Sequence, residues 1–300
     1  MSKKRGTSKK RGATRTSRRR TTSGRAAKGT PRGAVSVMMS AKKSVRERTA
    51  AVAALPPSTT DDQQLASLMK VLCDQAAPIT VRFAALQSLG AARFSSSAFP
   101  SNQGDYIAAL RKVADDPDPE LRQRVLGILA REKDGYAEQR LLDGLRHPEN
   151  ALLPPEKALQ LLGYNVHAEA YPIAREIVQN PPNPMAKREA LRLLAADAAS
   201  APTFEAILRD KNETPEIRQL GAAALHAIRP DRLQAHAREI LLDPSEHDDI
   251  RQTSLTALTQ FSPSAIADDK PLMDRIDQLS TSGSVELRES ASRFRSKYRA

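Results

Sequence analysis

Five histidines, one cysteine and a dense set of arginines and lysines are the residues here whose types suit metal, thiol or phosphate chemistry. A metal site needs several donors brought together at fixed spacing. His147 precedes a proline, His167, His226 and His236 each precede an alanine, and His247 precedes an aspartate, so no His-Glu pair occurs. His226 and His236 fall on adjacent expected helices, yet they read as surface or boundary histidines, and no metal is expected. Cys73 lies among Leu68, Val71 and Leu72 and reads as core packing. One cysteine also excludes an internal disulfide framework and a cysteine-based zinc site. These residues offer no catalytic constellation and no cofactor site, and the chain is expected not to be an enzyme.

The cations tell more once they are located. Residues 1–33 hold thirteen Lys or Arg and no acid, leaving thirty-four basic against thirty-five acidic residues in the rest. The net charge of +12 is therefore a cationic arm on a near-neutral body. The arm has no large apolar residue after Met1, so it cannot build a core and is expected to be a disordered basic tail. It nearly repeats itself, SKKRGT at 2–7 against SKKRGA at 8–13, before the triplet Arg18, Arg19 and Arg20. Lys3, Lys4, Arg5, Lys9, Lys10, Arg11, Arg15, Arg18, Arg19, Arg20 and Arg25 are the candidate polyanion-binding residues. Gly, Ser and Thr between them let each cation find a phosphate separately. Such binding is non-specific, because phosphate contacts position a protein while base contacts specify. An anionic membrane is a weaker candidate, since the arm has neither an apolar anchor nor an amphipathic helix.

The elements that must carry any site come next. Eleven-residue windows at 45–55, 79–89, 119–129, 152–162, 184–194, 215–225, 248–258 and 285–295 share one pattern. Six have Arg at the fourth position, seven end in Leu or, in the last, break that rule with Arg295, and the seventh position is mostly Ala, Gly or Ser. Successive fourth positions are 34, 40, 33, 32, 31, 33 and 37 residues apart. The third, seventh, eighth and eleventh positions share one face of an α-helix. A small seventh residue lets a neighbouring helix approach closely. Segments 62–74, 105–116, 167–180 and 231–243 read as a second helix per unit, and Pro119, Pro184 and Pro215 stand where a helix begins. Each unit is thus a helical hairpin that buries its apolar face only by stacking. Residues 90–105 are expected as a lengthened loop whose Phe94 and Phe99 anchor a partner or fold back. Residues 34–43 are a linker or N-terminal cover, and 44–300 the solenoid.

The windows DDPDPELRQRVLGIL (115–129) and ETPEIRQLGAAAL (213–225) resemble the short HEAT-like repeats of the phycobilisome-lyase type, with their D-P-x-V-R-x-x-A-x-x-x-L pattern. The resemblance implies an all-α chain, an α-solenoid of about seven to eight HEAT-like hairpins. It also implies a ladder between units, made by an Asp at the end of one helix and the Arg of the next. The matching residues are Asp74 with Arg82, Asp116 with Arg122, Asp210 with Arg218 and Asp243 with Arg251, with Arg288 closing the series. Pro155 and Lys187 interrupt it, which predicts a looser interface there. Among HEAT-like enzymes, deoxyhypusine-type hydroxylases use His-Glu pairs, which are missing, and alkylpurine glycosylases use an aromatic groove that a chain without Trp does not suggest.

The expectation is a non-enzymatic scaffold with a protein partner on the concave face of the second helices and nucleic acid on the arm. It is monomeric, without a membrane span, and cytoplasmic, nucleoid-associated or nuclear according to the host. The first alternative is a component of a lyase or other enzyme system that holds a small molecule, such as a tetrapyrrole, in the groove. The second is direct DNA binding by the solenoid, which a near-neutral body disfavours.

Overall fold

The computed structural model describes residues 31–165, 168–261 and 264–298, so the arm cations Lys3 to Arg25 and His167 lie outside the described residues. The described residues contain sixteen α-helices and no strand. The leading helices of the hairpins are α1 (Pro31–Met39), α3 (Asp62–Cys73), α5 (Phe99–Val113) and α7 (Gly135–Arg146). They continue with α9 (Ala170–Gln179), α11 (Ala201–Arg209), α13 (Pro230–Leu242) and α15 (Lys270–Leu279). The trailing helices are α2 (Val45–Ala53), α4 (Ile79–Ser95), α6 (Pro119–Arg131) and α8 (Pro155–Leu162). The last four are α10 (Pro184–Leu194), α12 (Pro215–Ile228), α14 (Asp248–Phe261) and α16 (Val285–Tyr298). Eight stacked hairpins make an all-α solenoid of the HEAT-like kind. Trailing helices pack on one another, α2 on α4, α8 on α10 and α14 on α16, and leading helices do likewise, α1 on α3 on α5. Each unit therefore depends on its neighbours for burial.

Local chemistry starts the helices where the pattern requires. Ser44 and Glu47 close a capping box on α2, and Asp61 with Gln64 does the same for α3. Asp118, Asn183 and Thr214 each accept a first-turn amide, and each is followed by a proline at the position that needs no amide hydrogen. The face then buried is the repeating one: Leu121, Val125, Leu126 and Leu129 in α6, and Ile217, Ala222 and Leu225 in α12. At the small position, a Cβ on Gly221 would stand 3.2 Å from the Phe204 carbonyl oxygen and 3.3 Å from Ile207 Cγ2, so α11 lies almost against the α12 backbone. In the helix α1, Ala34 and Met38 are buried against the next hairpin, giving α2 its partner.

Residues 90–105 are not a loop. α4 runs on to Ser95 and α5 starts at Phe99, because no proline or turn sequence stops the helix before Ser96. Phe99 is buried and meets Tyr106 edge to face at 5.2 Å, whereas Phe94 is 85% exposed with the Arg93 guanidinium 5.4 Å from its ring centre. The extra residues lengthen two helices instead of forming an excursion.

The arginines of the fourth position do not pair with the carboxylates of the aspartates six or eight residues before them. Arg82 donates from Nε to the Leu72 carbonyl at 2.9 Å and meets the carboxylate of Asp116 in the following unit. Arg218 donates to the Leu208 carbonyl and, through both Nη groups, to Glu246 at 2.8 and 2.6 Å. Asp74 and Asp210 instead accept the amide two residues on, from Ala76 and Asn212, as short Asx turns do. Asp243 accepts from Ser245 in the same way and also pairs with Lys211 at 2.5 Å. Arg122 reaches the carbonyls of Asp116 and Leu152, Arg251 those of Asp243 and Pro244 and the Asp248 carboxylate at 2.9 Å, and half-buried Arg288 the carbonyl of Gly283. The expected pairing is corrected for a geometric reason. An Asp at the turn is used by its own backbone, and the long Arg reaches past it.

The interruptions of the arginine series at Lys187 and Pro155 are bridged in other ways. Lys187 pairs with Glu213 of the next unit, Pro155 begins α8 at a position that lacks no hydrogen bond, and α8 packs closely on α10.

Glu246 is the acid with most at stake, its side chain 1% exposed between Arg218 and Lys211. Burial alone would push its carboxyl up, but hydrogen bonds from Arg218, the His247 amide and Lys211 outweigh that and hold it below the usual carboxylate range. The stability it contributes is present above the ordinary value near ~4.3 and is lost as pH falls through the lower folded value. Glu246→Gln leaves the Arg218 charge buried without its partner and should cost about 3 kcal/mol in urea unfolding at pH 7. The difference from wild type should shrink in acid; an equal difference at pH 3 and pH 7 would contradict the ionic role. Gly221→Leu should lose about 2 kcal/mol by forcing α11 away from α12, measured by the same titration.

Candidate functional site

The fifth, ninth and thirteenth positions of the trailing helices point away from the buried face, and side by side they form a trough. Between α4, α6 and α8 it widens to about 450 Å3, walled by Phe83, Gln87, Gln123, Arg124, Arg131 and Tyr164. A second widening of about 390 Å3 between α8 and α10 shares Gln160 and Tyr164 with the first and adds Tyr171, Glu189 and Arg192. A third, about 260 Å3 between α2 and α4, joins at Gln87. The trough therefore runs across five consecutive trailing helices.

Its middle is built by α6. The Arg124 guanidinium lies 4.9 Å from the centre of the Phe83 ring on α4, and that of Arg131 lies 5.7 Å from the centre of Tyr164 just beyond α8. One helix thus stacks an arginine on an aromatic ring of each neighbour, and both pairs face the trough. Arg124 is also bridged to Glu120 at 2.6 Å, and Arg192 to Glu189 at 2.7 Å. No carboxylate pairs with Arg131 among the described residues, so the middle of the trough keeps a positive charge. Gln87 and Gln160 hold the ninth position on α4 and α8, Gln123 stands one turn earlier on α6, and each carries both a donor and an acceptor. At one end, the buried Tyr171 hydroxyl has no hydrogen-bond partner among the described residues.

None of these trough residues stood out as a site in the sequence. Their signal was there in the repeat, at positions complementary to the buried ones, but periodicity cannot tell a binding face from an ordinary wet one. The residues that did stand out serve elsewhere. Cys73 is half-buried, with burial pushing its thiol up while Lys112 and Arg82 pull it back in part. His236 Nε2 is 3.8 Å from a Glu205 carboxylate oxygen, and the described residues hold no cluster of three His, Cys, Asp or Glu side chains suited to a metal. No helix among them is long and apolar enough to cross a membrane.

No family model and no curated protein matches the sequence. Two solved structures are similar in fold. Human deoxyhypusine hydroxylase in complex with glycerol is 16% identical with a TM-score of 0.34, over 79% of this chain and 96% of that one. The complex of CpcE and CpcF of phycocyanin lyase from Nostoc sp. PCC7120 is 16% identical with a TM-score of 0.38, over 89% and 94%. The stacked hairpins themselves define an α-solenoid of HEAT-like hairpins, the kind of fold that both likenesses share. They also correct one expectation from the sequence. A hydroxylase and a lyase stand among the structural neighbours, so the reading of the chain as no enzyme is withdrawn.

The Arg131–Tyr164 stack is exposed to solvent on one side and should be worth about 0.5–1 kcal/mol. A double-mutant cycle with Arg131→Ala and Tyr164→Ala, read by thermal unfolding, should recover that coupling; additive losses would show that the two side chains are merely adjacent.

Proposed function

We propose that this protein is a HEAT-like binding scaffold whose trough holds an extended, acidic segment of a protein partner, while the basic arm gathers nucleic acid or another polyanion. The observation that carries the reading is the pair of Arg–aromatic stacks that α6 makes with its two neighbours. Arg, Tyr and other aromatics are the residues over-represented at binding hot spots, and stacking holds them in place before a partner arrives. Residues about 10 Å apart on successive helices match roughly three residues of an extended chain. Gln87, Gln123 and Gln160 on successive trailing helices supply donors and acceptors for a peptide backbone, and Arg131, which no carboxylate meets among the described residues, favours an acidic side chain.

The arm works by charge alone. With six to ten phosphate contacts its affinity would fall by roughly 10³–10⁵ between 50 and 200 mM salt.

A second reading keeps the trough and changes the occupant. The same planar stacks and the arginines 124, 131 and 192 would take a flat, carboxylate-bearing small molecule such as a tetrapyrrole, which would make the chain part of a lyase or other enzyme system.

Affinity capture on the full chain separates these readings. Reversing charge with Arg124→Glu and Arg131→Glu together should abolish capture of a protein partner and leave nuclease-sensitive nucleic acid unchanged. Removing residues 1–33 should do the opposite. Nucleic acid recovered equally without the arm would sink the tether. A visible absorbance band that appears on mixing with a tetrapyrrole and vanishes in the Arg variant would favour the second reading over the first.

A further inference from the structure

We propose that a separate hollow, on the leading-helix side of the first three hairpins, binds a small monocarboxylate with an apolar body. The argument starts from an irregularity in the arginine series. Arg48, Arg82 and Arg218 hold one place in their units, each donating from Nε to the carbonyl ten residues earlier, Met38, Leu72 and Leu208, at 2.8, 2.9 and 3.0 Å. The charge of Arg82 is then met by Asp116 and that of Arg218 by Glu246, each from the following unit. For Arg48 the acid at the corresponding turn is Asp74, which caps the Ala76 amide. No ion pair joins Arg48 to Asp74 among the described residues. Both border a hollow of about 590 Å3 instead.

A carboxylate is thus missing from the rung at the place where the hollow lies. Arg48 is only 5% exposed, and a buried cation that no anion meets is costly. An oxyanion from solution would restore the arrangement that protein carboxylates complete at Arg82 and Arg218. The Nη groups of Arg48 donate to no partner among the described residues, and a guanidinium so placed suits a carboxylate, which can take two donors in parallel.

The rest of the wall describes the body of such a ligand. Met39 of α1, Ala66 and Met69 of α3, and Ala108 and Ala109 of α5 give an apolar floor. Lys70 and Lys112 stand on the rim with Asp74 and Asp105, so the wall carries three cations against two acids. That balance suits one negative charge and disfavours a polyanion, which separates this hollow from the work of the arm. The ligand class is therefore an alkyl or aryl monocarboxylate. The inference does not rest on the reading of the trough.

The protein carries its own reporter, because Cys73 borders the hollow and is the one cysteine in the chain. The full chain is labelled with a maleimide while decanoate, kept below its micellar range, is titrated against it. Decanoate should slow labelling saturably, by roughly tenfold once its concentration is about ten times Kd and only one site in ten or so stays empty. Decanol, with the same body and no charge, should slow it far less. Lys70→Ala with Lys112→Ala, both exposed and safe for folding, should weaken the protection several-fold, and Arg48→Lys, checked for native helicity, should weaken it further. Unchanged labelling at saturating decanoate would overturn the proposal. Equal slowing by decanol and decanoate would overturn it too, by showing apolar adsorption without a carboxylate site.

Discussion

One interaction recurs through the solenoid, and most of the rest depends on it. A buried arginine near the start of a trailing helix donates to the carbonyl at the end of its own leading helix, then reaches a carboxylate in the next unit. Arg82 with Leu72 and Asp116, and Arg218 with Leu208 and Glu246, show the complete form. The first contact satisfies one of the carbonyls a helix end leaves open, and the second joins successive hairpins. A charge this deep is tolerated only while both contacts hold. That requirement gives a repeat array a preferred register, which sliding apolar faces alone would not supply.

With register set, the trailing helices present the same positions to the same side. Phe83, Arg124, Arg131 and Tyr164 come together only because α4, α6 and α8 are stacked in step. The trough is therefore a product of the ladder, although no ladder residue lines its middle. The opposite holds at Arg48, where an incomplete rung coincides with a hollow. A carboxylate of the following unit completes the rung at Arg82 and at Arg218; none does so at Arg48 among the described residues, and there the rung borders a hollow.

Much of the architecture was legible in the sequence. The fourth-position arginines, the small seventh residues and the prolines at helix starts announced eight trailing helices. Their spacing announced the hairpins. The reading failed where an answer needed the neighbour's coordinates. It assigned Arg82 to Asp74, the nearest aspartate in sequence, because spacing along one chain says nothing of which unit a long side chain faces. It read 90–105 as a loop because extra length between repeats looks the same whether it extends a helix or leaves it. Glu246 went unnoticed, since no fixed offset links it to Arg218.

By itself, then, the sequence determined the class of fold, the count of repeats and the confinement of excess positive charge to residues 1–33. These follow from helical periodicity and composition, which are properties of a chain read residue by residue. Only the tertiary structure decided which acid meets which arginine, where Phe94 and Phe99 go, and that Arg131 stacks on Tyr164 over an open trough. Those pairings join residues some thirty positions apart, and they exist only once successive hairpins have packed and fixed the distance between them.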